Sequence, residues 1–334
     1  PAMVMGGVQH QIQYATGDYY TGMVDENQDK PVGVYIEDIQ AANREFYEDE
    51  AVVIWGVLKA RTLNSEEEIS ISTACYANKL GESEGRIKGD ADPTGPDEEF
   101  GMTVAVMEEK DVGCEFPPGE LGPGQWNAYF LSTFNFDTHS YLKSYFMEQS
   151  RLRAIRRQNK DPLSMYGVSD KAPQSVSTNG PVQVNMEITQ PLTGLKMDPG
   201  EKNELRLGIT LKNRWEGEIK EIEDLVIKVP PSMSVAFCDH NIKPEQCRGT
   251  ECEEGKYDTV YRLQPGSEGG KKGRNSLRGI DTFRSFNCKL NVDNVNSALG
   301  SAPLTTHYFK ASAEYIYSLK KETPVTIKES TLTE

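Results

Sequence analysis

The sequence lacks any long apolar run. No stretch approaches the ~20 apolar residues that a bilayer-spanning helix needs, so nothing in it reads as a membrane span. It has no Asn-x-Ser/Thr sequon, which leaves N-glycosylation without an acceptor. It has neither His-Glu-x-x-His nor Gly-x-Ser-x-Gly, the signatures of common zinc and serine hydrolases. Its four histidines, His10, His139, His240 and His307, are scattered. No Cys-x-x-Cys pair occurs, and His240 beside Cys238 and Cys247 lacks finger spacing, which argues against zinc. Positive charge is scarce: 36 Lys and Arg stand against 51 Asp and Glu, for a net charge of −15. Nucleic acid is a poor partner for such a chain, because phosphate binding needs concentrated positive charge.

What is present reads as β-structure. At 334 residues the chain is long enough for two domains with their own cores. Ala51 to Ala60 is apolar on both faces, the pattern of a central strand. Glu68 to Tyr76 alternates, and Met102 to Met107 makes a further strand. After the Pro/Gly block at 116–124, Trp126, Ala128, Phe130, Ser132, Phe134 and Phe136 share one face. Residues 1–50 are polar, with a hint of one short helix across 36–48. From Val182 onward short alternating segments recur between turns, the pattern of an immunoglobulin-like sandwich.

Between these halves, Asp137 to Lys160 reads as a helix. Tyr141, Tyr145, Leu152 and Ile155 recur at near-helical spacing, Asp137 or Thr138 can cap the start, and Asp161-Pro162 ends the run. Residues 161–181, rich in Pro, Gly and Ser, read as a linker. The expected architecture is therefore mainly β. It has an N-terminal polar segment (1–50) belonging to a first β domain (51–160) that closes with the helix. The linker then leads to a second sandwich (182–334).

Val182 to Val184, MDPGEKNELRLGITLKN at 197–213, LVIKVPPSM at 225–233, FRSFNCKLNV at 283–292 and FKASAEYIYSLKKETPVTIK at 309–328 resemble the CARDB-like β-sandwich repeats of prokaryotic surface proteins. The segment 140–173 is similar to the connector of such proteins in archaea. The resemblance covers roughly residues 138–328. It implies a membrane-anchored surface ectodomain with no shared catalytic residues. The cysteine-bearing insertion at 239–257 departs from the plain repeat.

Six cysteines are an even set. One pair per context gives Cys75–Cys114, Cys238–Cys288 and Cys247–Cys252, with buried free thiols in an intracellular protein as the alternative. KGDADPTGPDEEFG at 88–101 gathers Asp90, Asp92, Asp97 and Glu98 around a turn glycine and admits Ca²⁺. Its EF-hand-like start fails at Thr94 and Gly101, and a solvated acidic loop is the plainer reading. Arg151, Arg153, Arg156 and Arg157 make the helix basic. They serve either an anionic headgroup, glycan or protein partner, or the chain's own carboxylates. Gly266 to Ser276 is Gly/Lys-rich but lacks phosphate-loop spacing. Trp55 and Trp126 lie in apolar strands and read as core, whereas Trp215, in a polar turn, reads as an exposed binding contact.

These features together predict a non-enzymatic extracellular ectodomain that binds protein or glycan at a cell surface. The anchor or signal would lie upstream of the abrupt Pro1-Ala2-Met3 start. No cofactor beyond Ca²⁺ is expected. The alternatives are a filament or surface-layer subunit that self-associates, and a secreted carbohydrate-active enzyme with paired carboxylates.

Overall fold

The computed structural model describes residues 31–63, 68–81, 85–92, 100–105, 107–198, 200–239, 242–247, 259–265, 278–280 and 282–330. It is mainly β, with three short helices among the described residues. The chain forms two compact units. Of the described residues, the first takes 31–136, 215–220 and 316–330, and the second takes 137–214 and 221–315.

In chain order the strands begin with β1 (Gly33–Ala41), β2 (Glu45–Tyr47), β3 (Val52–Arg61), β4 (Glu68–Lys79), β5 (Arg86–Lys88), β6 (Asp90–Asp92), β7 (Phe100–Ala105), β8 (Met107–Phe116) and β9 (Gly124–Glu148). Helices α1 (Gln149–Arg157) and α2 (Pro162–Met165) follow. Then come β10 (Val176–Ser177), β11 (Val182–Ile188), β12 (Leu192–Leu195), β13 (Glu204–Asn213), β14 (Glu218–Val229), β15 (Met233–Cys238) and β16 (Ile242–Gln246). The chain closes with β17 (Thr259–Pro265), β18 (Arg278–Ile280), β19 (Phe283–Val292), α3 (Val295–Leu299) and β20 (Thr305–Lys328).

In the first unit, an antiparallel sheet runs β1-β3-β8-β6. β3 alternates strictly: Val52, Ile54, Leu58 and Ala60 are buried, while Trp55 is exposed. Period-2 side-chain direction explains this, so β3 is central in its sheet but covered on one face only. β4 pairs antiparallel with Trp126–Phe134 of β9 and carries Cys75, which is bonded to Cys114 of β8 and so ties the two sheets together. Phe116, Phe130, Phe134 and Tyr317 are fully buried there. The stretch 36–48 is strand (β1 and β2) rather than the hinted helix.

In the second unit, an antiparallel sheet runs β11-β13-β19-β15. Val184, Leu207, Ile209, Phe286, Cys288 and Leu290 fill its inner face. Cys238 and Cys288 stand opposite each other on β15 and β19 and are bonded. Strands β16-β17-β14-β20-β9 are hydrogen-bonded neighbours in that order, and β12 joins β9 in parallel.

The predicted helix 137–160 is corrected. Only Gln149–Arg157 is helical, and Asp137–Glu148 belongs to β9. Thr138, Ser140, Leu142, Ser144 and Phe146 continue the buried alternation that starts at Trp126. Three of these five are hydroxyl residues, so the alternation is invisible to hydrophobicity. Each has a local partner: Thr138 Oγ1 donates to the Val182 carbonyl, Ser140 bonds Ser175, and Ser144 Oγ donates to the Pro191 carbonyl. The predicted linker 161–181 is corrected as well. It holds α2, capped by Asp161 on the Leu163 N–H with Pro162 at the first helical position, and β10, which pairs with Ser140 and Tyr141 of β9. The Asp161 carboxyl is held well down, to about 2, by hydrogen bonds from Lys171 and Ser164.

Candidate binding surfaces

The outer face of β11-β13-β19-β15 carries a groove of about 420 Å³, lined among others by Glu204, Arg206, Phe237, Asp239, Asn287 and Lys289. A β-bulge shapes it. Val235 pairs with Leu290 and Phe237 with Lys289, so Ala236 is an extra residue on β15. Such a bulge re-aims the side chains beside it. Val235 and Cys238 face inward, and Phe237 turns outward with 55% of its surface exposed. Asp239 and Asn287 lock together at the groove wall. The Asn287 backbone N–H donates to Asp239 Oδ1 at 2.7 Å, its Nδ2 donates to Oδ2 at 3.1 Å, and the Asp239 N–H donates to the Asn287 carbonyl at 2.9 Å. Lys289 Nζ lies 2.7 Å from Glu204, and that hydrogen bond holds the Glu204 carboxyl below its ordinary value. The result is one open aromatic ring beside preset amide, carboxylate and cationic groups.

Helix α1 buries Leu152 and Ile155 in a cluster with Tyr145, Met147, Leu163 and Leu192. A Cβ on Gly194 of β12 would lie 3.0 Å from Leu152 Cδ2 and 3.3 Å from Gln149 Cα, so a larger residue there would crowd the helix against the strand. The opposite face is exposed: Arg153, Arg156 and Arg157, at i, i+3 and i+4, lie together, with Arg151 beside them. None of these four arginines is ion-paired with a described residue.

On the outer face of β1-β3-β8-β6, Trp55 stands 42% exposed. Gly113 of β8 is its cross-strand neighbour, and Asp92 of β6 is the next residue along the same row. Val53 leads to Glu115 and Asp90 in the row on one side, and Val57 to Asp111 in the row on the other. Asp90, Asp92, Asp111 and Glu115 have no ion pair with a described residue. At one end Lys59 bridges Glu37 (3.0 Å) and Glu109 (3.2 Å).

The tryptophans thus exchange the places predicted for them, apart from Trp126, which is buried and donates from Nε1 to the Gly122 carbonyl. Trp215 is half-buried, edge-on to Tyr35 at 6.5 Å and to Tyr317 at 6.2 Å. Its turn folds in because a Cβ on Gly217 would lie only 2.3 Å from the Ser318 carbonyl oxygen, an approach only glycine allows. Asp90 and Asp92 lie on a strand rather than in a loop, Asp97 and Glu98 lie outside the described residues, and no acidic or His/Cys cluster suited to a metal occurs among the described residues. Cys247 is disulfide-bonded, whereas Cys252 and Gly266 to Ser276 lie outside the described residues. Sequence reading missed Phe237 and the bulge. The only signal was Val235 and Cys238 standing three apart on one short strand, out of phase for regular alternation.

No family model and no curated protein matches the chain. Among solved structures it is similar to one described as "The Enterococcus faecalis MSCRAMM ACE binds its ligands by the collagen Hug Model". The match has 8% identity, covers 88% of this chain and 95% of that chain, and has a TM-score of 0.19. At that score the likeness says nothing about what this chain binds. Among the described residues no helix is long and apolar enough to cross a membrane.

Proposed function

We propose that the chain is a non-enzymatic binding ectodomain of a cell-surface protein, and that the Phe237 groove is its recognition site for a polar, extended ligand of the glycan class. The observation that carries this is the bulge-exposed Phe237 ring beside the Asp239–Asn287 pair, Arg206 and Lys289. An open ring offers a stacking face, and fixed polar neighbours set orientation, the combination expected of a ligand site. The Cys75–Cys114 and Cys238–Cys288 disulfides support an oxidising compartment.

The glycosidase alternative is weakened by the same groove. Such an enzyme needs one carboxyl with a raised pKa as general acid. Glu204 is held below its ordinary value by its hydrogen bond with Lys289. The test is a glycan array followed by titration of the best ligand. Phe237→Ala should weaken binding by about tenfold, the size of one stacking contact, with unchanged melting because the ring is exposed. Equal affinity in this variant would move the site elsewhere. Release of reducing ends from the bound glycan would return the enzyme reading.

A further inference from the structure

We propose that the arginine face of α1 docks onto the Trp55 face of a second copy of this chain, giving a head-to-tail assembly. Three observations on different elements converge on this pairing. First, Arg153, Arg156 and Arg157 form an exposed cationic face with no ion-paired partner among the described residues, on a chain whose net charge is −15. Second, the β1-β3-β8-β6 sheet presents the complement: Asp90, Asp92, Asp111 and Glu115 lie on β8 and β6 to one side of the exposed Trp55 and are equally unpaired among the described residues. Third, Gly113 between Trp55 and Asp92 carries no side chain, and the Asp92 side chain leans over it, since a Cβ on Gly113 would lie 3.3 Å from Asp92 Cβ and 3.8 Å from its Oδ2, which brings a carboxylate toward the indole. A guanidinium placed there meets the ring and a carboxylate together, the arrangement that cation–π and charge-assisted contacts both favour.

The occupant follows from charge. Two copies at −15 each repel overall, so the pairing rests on local complementarity: each copy carries both the acidic face and the matching cations on a preformed, well-packed helix. The two faces differ, so the contact is heterologous: each copy keeps one face free, and the assembly closes as a ring or continues as a filament. The inference is independent of the Phe237 groove, which lies on a different sheet.

Sedimentation velocity of the purified chain over a range of concentrations, at low and high salt, tests it. The wild type should associate with rising concentration and dissociate with salt, because the contact is charge-driven. One variant removes the basic face (Arg153→Glu, Arg156→Glu, Arg157→Glu). A second removes the acidic face (Trp55→Ala, Asp92→Asn, Asp111→Asn), with neutral replacements so that it gains no attraction for the glutamates of the first. Each alone should lose association by at least about tenfold, one good cation–π or charged contact. Mixed together they should form a one-to-one dimer and nothing larger, since one variant keeps the acidic face and the other keeps the helix. That pairing also certifies that both variants fold. A wild type that stays monomeric, association untouched by either variant, or a mixture that fails to pair would overturn the proposal. If the wild type stays monomeric but its arginine face is needed to bind phosphatidylglycerol vesicles, the occupant is a lipid surface and the proposal is likewise overturned.

Discussion

Tyr315 closes a three-membered hydrogen-bond ring in the core of the second unit. The Val182 N–H reaches its hydroxyl at 3.2 Å, the hydroxyl meets Thr138 Oγ1 at 3.0 Å, and Thr138 donates to the Val182 carbonyl at 2.9 Å. All three residues are fully buried, so no water can replace a lost member. Tyr315→Phe leaves the Val182 N–H and the Thr138 hydroxyl short of a partner, at a cost of about 1–3 kcal/mol for an unsatisfied buried group. Urea denaturation should show a lower midpoint with an unchanged slope. Glu314, next to it, faces outward near Glu223 and Asp224. Burial and then those two charges raise its pKa above the ordinary 4.5, against a smaller opposing pull from Arg262. The folded state therefore keeps this proton to a higher pH than the unfolded chain does. The group favours folding in acid, and that contribution is lost as pH rises through the raised value. Glu314→Gln should raise stability at neutral pH by about 0.5 kcal/mol, the scale of an exposed like-charge contact across strands. The gain should vanish below pH 4.5, where the native carboxyl is protonated in both states. Melting curves across that range check the sign.

At the scale of elements, the strand-rich class and the inward faces of β11, β13 and β19 were legible because Val, Leu and Ile alternate there without interruption. β9 was not, because its buried positions change character midway from aromatic to hydroxyl while the strand continues. Aromatic residues at 141, 145 and 146 then imitated a helical stripe. The two disulfides were legible from cysteine placement. The groove was not, because Phe237 is exposed by one inserted residue, and a sequence window cannot distinguish an insertion from a change of phase. This gives the bulge a direct test. Val235, Phe237 and Cys238 already oppose Leu290, Lys289 and Cys288 in order, so deleting Ala236 should leave a regular strand with the same register. Titration of the deleted chain without reductant should find no new free thiols, and Phe237 should remain outside. Two new thiols would mean that the strand slipped instead, turning Cys238 away from Cys288.

At the scale of the molecule, the disulfides close loops with sequence separations of 39 and 50 residues. Loop-closure entropy assigns each bridge about 4 kcal/mol, against a total of about 5–15 kcal/mol for a typical domain. Each bridge lies within one unit, so neither unit escapes the loss. The −15 charge adds self-repulsion to whatever remains. The expectation is a large fall in the denaturant midpoint on reduction, together with a gain in exposed apolar surface. Replacing Cys75 and Cys114 by Ser should reproduce part of the fall, and replacing Cys238 and Cys288 another part. A large fall would mean that the chain needs oxidised thiols to stay folded, which would tie the stability of the sandwiches to the compartment proposed for the binding groove. A midpoint unmoved by reductant would show that the cores suffice alone, and the bridges would then lose their value as a sign of where the protein works.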